Sequence, residues 1–196
     1  MLRFVPRDAR PFDSAAQQAL RPYVGPLAAL LHARGAQTAA QAEAFLHPSL
    51  DALHDPLLLS DMRAALDILA TARDEQLKTV VYGDYDVDGV CAAALMTEAL
   101  RAYGIDATPH VPLRAEGYGL NLSAIERPAG QYGLLVTVDL GITNAAEVAR
   151  AGELGMRVIV TDHHQPGLEP CPADAAVNPL LSGYPFPRLC GTGTAF

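Results

Sequence analysis

Hydrophobic positions along the chain change their spacing near residue 79. Before it they fall at helical intervals. Thr38 and Gln41 have capping-box spacing ahead of a helix that stops before His47-Pro48. DPLLL at 55–59 is a short apolar connector, and Met62, Ala65, Leu66 and Leu69 make the 3.6-residue stripe of an amphipathic helix. From residue 79 onward, short apolar runs alternate with helical stretches. TVVY is a first strand, and VCAAALMTEALRAYG is a helix, apolar nearly all round in its first half and so expected to be buried there. ATPHV is a poorer strand, because Pro109 cannot donate to a ladder and suits an edge or a strand end. After the loop PLRAEGYGLN, Ser123 and Glu126 suit the cap of a short helix before Pro128. LLVTVD is an unbroken apolar strand, Asn144 caps a helix to about Leu154 with Gly155 at its C′ position, and RVIVTD is the last clear strand.

Apolar strands alternating with helices predict an α/β fold, a parallel sheet of four or more strands flanked by helices on both faces. A helical N-terminal segment, 1–75, precedes an α/β domain at 76–196. The stretch after Gln165 is loop-rich, with Pro at 166, 170, 172, 179, 185 and 187. The final LCGTGTAF has the pattern of a helix beginning, so the domain is expected to be incomplete at its C-terminal end.

Composition narrows the class. The length allows one substantial core and a smaller appendage, and half the residues are hydrophobic. No apolar run reaches the roughly 18 residues of a membrane span, and the opening MLRFVPRDARPFD lacks a signal-peptide core. The three cysteines form no CxxC, and Cys91 is expected to be a small core residue. A reduced, cytoplasmic protein without membrane contact is the expectation. The net charge of −8 is wrong for coating nucleic acid. It leaves a phosphodiester substrate open, because bound divalent cations reverse the potential in an acidic cleft.

The candidate chemistry sits at strand ends. VVYGDYDVDG places Asp84, Asp86 and Asp88 after the first strand, LLVTVDLG places Asp139, and VIVTDHHQPG places Asp162, His163 and His164. Carboxylates at alternate positions repel one another unless cations sit among them. Turn and N-cap roles account for one acid of the three, and Asp88 before Gly89 is the expected helix cap. DYDVDG matches the first half of an EF-hand loop, but Leu95 occupies the position of its bidentate Glu and a strand precedes it. An aspartyl-nucleophile phosphatase would leave Asp139 and the His pair unexplained. Neighbours in an extended segment point to opposite sides, so one histidine of the pair is expected to bind metal. Carboxylates with one imidazole form a hard O/N site suited to Mn²⁺ or Mg²⁺. His32, His47 and His54 lack acidic or cysteine partners at ligand spacing.

GDYDVDG, VTVDLG and TDHH, in that order, resemble the first three motifs of the DHH phosphoesterase superfamily. RGAQTAAQAEAFLHPSL, DPLLLSDMRAALDIL, VPLRAEGYGL, VNP and LCGTGTAF extend the resemblance to the RecJ family of single-strand-specific 5′-to-3′ DNA exonucleases, from about residue 30 onward. The resemblance implies two divalent cations, Mn²⁺ or Mg²⁺, held by Asp84, Asp86, Asp139 and His163. It implies that His164 faces the scissile phosphate and that Arg114 holds a substrate phosphate. It implies hydrolysis of single-stranded DNA from its 5′ end in repair and recombination, with a helicase or single-strand-binding protein among the partners. Tyr82 stands where many members carry His, and the family's further metal-binding Asp has no counterpart in the chain, so residues 1–196 alone are expected to show little nuclease activity. Two other readings compete. One is a DHH enzyme acting on short oligonucleotides, cyclic dinucleotides or pyrophosphate. The other is a nuclease-dead replication scaffold, which should have lost ligands that are present here.

Overall fold

A computed structural model describes residues 12–117, 119–126 and 130–196; Tyr118 and Pro128 lie outside them. The chain divides into two compact units, one ending at Leu53 and one from His54 to Phe196. In the first, α1 (Ser14–Ala19), α2 (Gly25–Ala33) and α3 (Ala39–Leu46) surround Leu20, Ala28, Leu31, Ala36 and Ala42. Both arms of the capping box start α3: Thr38 Oγ1 accepts from Gln41 N at 3.2 Å, and Gln41 Oε1 accepts from Thr38 N at 3.2 Å. His32, His47 and His54 join no group of potential metal ligands among the described residues.

The second unit runs α4 (Met62–Asp74), β1 (Thr79–Gly83), α5 (Val87–Tyr103), β2 (Ala107–His110), α6 (Leu122–Glu126), β3 (Leu134–Val138), α7 (Ala145–Glu153), β4 (Arg157–Thr161), β5 (Ala175–Val177) and α8 (Gly191–Ala195). The strands form one wholly parallel sheet in the order β2-β1-β3-β4-β5. Every residue of β1 and β3 is buried, as continuous apolar runs require. Alternate positions feed two cores. Val81, Leu134, Val136, Val138 and Ile159 pack with residues of α4 and α5. Val80, Tyr82, Leu135, Val158 and Val160 pack with α6 and α7. β2, with Pro109, is an edge strand.

Several helix details differ from the expected pattern. In α4 the buried face is Ala65, Ile68 and Ala72, while Leu66 is exposed. α5 begins at Val87 rather than Val90 and buries one face only, through Gly89, Ala92, Ala93, Thr97 and Leu100. Cys91, expected in the core, is exposed beside Val87 and Val90, because the helix turns its smallest residues toward the strands. That approach is close: a Cβ on Gly83 would meet Ala93 Cβ at 2.9 Å. Ser123 lies inside α6, and its hydroxyl donates to Asn121 Oδ1 at 2.8 Å instead of accepting from the helix. Asn144 occupies the N-cap of α7, but its side-chain amide donates to Leu120 O and Glu147 Oε2 rather than capping a backbone N–H. β5 escaped the strand pattern because it is three residues long, two of them Ala.

The topology locates the crevice. The connection through α5 carries the chain from β1 to β2 on one side, and the connection through α6 returns it to β3 on the other side of β1. Strand order therefore reverses between β1 and β3, and ligands of open α/β sheets bind beyond the carboxyl ends of strands at such a point.

Gly89 sets how closely α5 seats on the end of β1. A Cβ there would lie 2.5 Å from both the N and the O of Asp84, backbone atoms that cannot swing aside. Gly89→Ala is expected to destabilise the chain by about 1–3 kcal/mol, read from the urea midpoint. A midpoint equal to that of the parent would refute the close seating.

Candidate metal centre

Parallel register brings the acids together. Gly83 pairs with Val138, and Val138 with Thr161. The next residues of the three adjacent strands, Asp84, Asp139 and Asp162, therefore leave the sheet at one level. All three are buried. Asp84 Oδ1 accepts from the Tyr85 N–H at 2.7 Å. The N-cap of α5 is Asp86, whose Oδ1 accepts from Gly89 N at 3.0 Å.

Asp88, expected in that capping role, stands in the first turn of α5 and reaches a different helix. Its carboxylate accepts from Gly191 N at 2.7 Å, Thr192 N at 2.8 Å and Thr192 Oγ1 at 2.6 Å, at the start of α8. The clasp holds Gly191 against Asp139, where any Cβ would collide with the carboxylate.

Asp139 is the hub. It has left-handed backbone (φ 62°), uncommon for a residue with a Cβ, and its N–H donates to Thr161 O at 3.0 Å. One carboxylate oxygen each from Asp84, Asp86 and Asp139 lie within 4.8 Å of one another, as do potential ligand atoms of Asp139, His163 and His164. Asp139 Oδ1 is buried without a hydrogen bond among the described residues. His163 Nε2 stands 3.1 Å from it, outside hydrogen-bonding alignment, and 3.9 Å from Asp88. A buried carboxylate oxygen left without a donor, with carboxylate oxygens on one side and the imidazoles of His163 and His164 on the other, fits a hard divalent cation.

The sequence pattern assigns Asp162 no role of its own beside the histidine pair. Its Oδ1 accepts from His163 N at 2.7 Å, His164 N at 3.1 Å and, at 2.8 Å, pairs with His164 Nδ1. Its Oδ2 accepts from Ile142 N at 3.0 Å. One buried carboxylate thus fixes the backbone of both histidines and the ring of the second. The available signal was its place, directly between an apolar strand end and two adjacent N–H donors.

Arg114 and Tyr82 belong to neither ligand group. Arg114 is exposed on a 3-10 turn, Arg114–Glu116, with its guanidinium carbon 5.0 Å above the Tyr85 ring. Tyr82 is buried, stacked on His110 at 5.0 Å; its hydroxyl donates to Gly119 O at 3.4 Å and accepts from Asn121 Nδ2 at 3.2 Å. Burial pushes that phenol up to about 12, so it remains a neutral tie between β1 and the loop after Arg114.

Crowded acids shape the titration. Burial, then the charges of Asp88 and Asp86, push Asp139 up to about 7. Burial acts against Asp88 as well, but its hydrogen bonds from Thr192 and Gly191 prevail and hold it below the usual carboxylate range. Burial opposes the charged imidazole of His164, yet the Asp162 bond raises it above the ordinary value.

Residues 78–196 match the N-terminal domain of the DHH family. The chain is similar to the single-stranded-DNA-specific exonuclease RecJ of Bacillus subtilis, 40% identical over 179 residues, which are 89% of the chain and 23% of that protein. It is also similar to two solved structures. One is an exonuclease RecJ bound to manganese (38% identity, TM-score 0.65, 73% of the chain and 37% of the other). The other is RecJ from Thermus thermophilus in complex with Mn²⁺ (34% identity, TM-score 0.69, 93% and 25%). The chain spans about a quarter of the length of the curated relatives it matches.

Asp139 makes metal-free stability depend on pH. Its folded pKa of about 7 exceeds the ordinary 3.8, so ionisation disfavours the folded state. The protonated acid is compatible with folding, and stability is lost as pH rises from the ordinary value through about 7. His164, raised as well, loses its contribution in the same direction above its ordinary value. The thermal midpoint of the metal-free chain is expected to fall between about pH 5 and about pH 7, with Asp139→Asn removing most of that slope. Added Mn²⁺ should raise the midpoint more at the upper end, where protons compete less for the ligands. Equal slopes in parent and variant would contradict the placement of Asp139.

Proposed function

The chain belongs to the DHH family, and on that footing we propose that its protein is a metal-dependent nuclease that removes nucleotides from the 5′ end of single-stranded DNA in repair and recombination. The observation that carries this reading is the ligand cluster around Asp139, in a chain 40% identical to a single-stranded-DNA-specific exonuclease over 89% of its residues. In this reading residues 76–196 are the catalytic segment. A helicase or single-strand-binding protein is the partner class that would deliver such a substrate. Among the described residues no helix is long and apolar enough to cross a membrane. A cytoplasmic site of action suits a DNA substrate.

Asp84, Asp86, Asp139 and His163 are the side chains that would hold two divalent cations, Mn²⁺ or Mg²⁺. Bound there, such cations would lower the pKa of a water and neutralise charge on the phosphodiester. The remaining roles belong to the chain itself. Asp162 holds the His163 backbone and the His164 ring in one orientation. With its Nδ1 paired to Asp162, His164 would present its other ring nitrogen to a non-bridging phosphate oxygen and stabilise the charge developing on it. Arg114 would bind a substrate phosphate through paired N–H donors.

The protein expressed from its complete reading frame is to be compared on long 5′-phosphorylated single strands, dinucleotides and pyrophosphate. Long single strands are expected to be degraded fastest, with manganese dependence abolished in Asp86→Ala. His164→Ala is expected to lower kcat by about 10²–10³ with Mn²⁺ affinity retained by calorimetry. Preference for dinucleotides or pyrophosphate would sink the DNA assignment, and failure to bind Mn²⁺ would sink the catalytic one.

A further inference from the structure

Arg114 presents an unusual combination. Its guanidinium takes part in no hydrogen bond or ion pair among the described residues, although the chain carries eight more acidic than basic groups. Its contact is the face of Tyr85, 5.0 Å from the guanidinium carbon to the ring centroid. An Arg on a short exposed turn has many rotamers, and ordering such a side chain costs conformational entropy. A planar guanidinium laid on an aromatic face loses much of that freedom before any ligand arrives. The ring contact leaves the guanidinium N–H donors without a protein acceptor among the described residues, available to grip a phosphate by two parallel bonds.

The ring is itself held by the acid turn. Tyr85 is half-buried, and its own N–H donates to Asp84 Oδ1 at 2.7 Å. On its other side Asp86 caps α5 through Gly89 N at 3.0 Å. Three consecutive residues therefore supply an acid of the ligand cluster, a platform for the cation, and a second acid of the cluster. Arg114 comes from a different strand connection, the one following β2, and no described hydrogen bond or ion pair ties its side chain to the acid turn.

We propose that Tyr85 is a positioning residue: its ring holds the Arg114 guanidinium beside the Asp84–Asp86 turn, oriented to bind a phosphate of the nucleic-acid substrate. The inference deepens the reading of Arg114 as the phosphate-binding residue and rests on it. The phenol hydroxyl contributes nothing to this role; the flat aromatic face does. Arg is required as well, because a Lys ammonium cannot stack on the ring and grip phosphate with a fork at once.

Two measurements on the protein test this. The first is binding of a 5′-phosphorylated single strand with hydrolysis-resistant phosphorothioate linkages, followed by anisotropy in Mn²⁺, for Tyr85→Leu, Tyr85→Phe, Arg114→Ala and the Tyr85→Leu/Arg114→Ala double variant. Tyr85→Leu is expected to weaken binding about two- to five-fold, the worth of an exposed cation–π contact, with Tyr85→Phe restoring it. On the Arg114→Ala background the same Leu substitution should cost nothing further. An equal loss on both backgrounds would overturn the inference while leaving the Arg114 assignment intact. No loss in Arg114→Ala would instead overturn that assignment, and the inference with it. The second measurement needs no DNA. The Arg114 Nε–H resonance should be shifted upfield by the Tyr85 ring current, and Tyr85→Leu should abolish the shift. An unshifted resonance in the parent would show that the guanidinium does not rest on the ring. Manganese affinity unchanged in Tyr85→Leu is expected, and a loss would mean that the substitution acts through the ligand turn rather than through Arg114.

Discussion

Three neighbouring parallel strands end in register, and each continues into an aspartate. The strand pairing that aligns Gly83, Val138 and Thr161 leaves Asp84, Asp139 and Asp162 no choice of level. Because all three are buried, water cannot dilute their mutual repulsion. The chain answers it twice. At Asp162 four N–H contacts absorb the carboxylate. At Asp139 the buried Oδ1 has no hydrogen bond among the described residues, and the acid is pushed up to about 7. Identical residue types at equivalent strand ends thus diverge in chemistry. The satisfied acid becomes scaffold, and the unsatisfied one is left for a ligand.

Scaffold residues then hold the unsatisfied one in place. Asp139 cannot be padded by bulky neighbours without losing its open side, so the atoms behind it must be small. Gly191 meets that need, and the Asp88 clasp on Gly191 and Thr192 keeps it there. The same economy appears under β1, where Gly89 lets α5 begin against the Asp84 backbone. Both glycines lie in stretches that look like acid motifs or chain punctuation. Their function is steric, and it decides where carboxylate oxygens sit.

How much of this was legible in the sequence depended on the range of the interaction involved. β1, β3 and β4 were readable because strands covered on both faces are apolar throughout, and short-range capping of α3 was readable from Thr38 and Gln41. Convergence of the Asp84, Asp139 and His163 stretches followed from parallel strands ending on one edge. What escaped depended on partners far away in sequence. Asp88 caps a helix 103 residues later rather than its own, which no local cap rule can anticipate. Apolar surroundings place Cys91 inward and the 3.6-residue stripe places Leu66 inward, yet both are exposed. Which face a helix buries is decided by how closely its neighbours approach, and here Ala92, Ala93 and Ala65 were the residues small enough. The guanidinium of Arg114 over Tyr85 joins segments 29 positions apart by a contact that leaves no spacing signature.

Net charge gains meaning only at this scale. A surplus of eight negative charges disfavours the approach of a polyanion to the chain as a whole. Part of that surplus is concentrated around Asp139, where carboxylate oxygens of Asp84, Asp86 and Asp139 gather into a donor set that suits a divalent cation. In the proposed reading, cations bound there would reverse the local sign, and nucleic acid would engage the site only with metal present. Arg114, with no carboxylate partner among the described residues, would be a cation that guides the substrate there. An aromatic platform suits it better than an acidic one would. A salt bridge would neutralise the charge that the proposed phosphate contact needs, whereas the ring would orient the guanidinium and leave its charge intact.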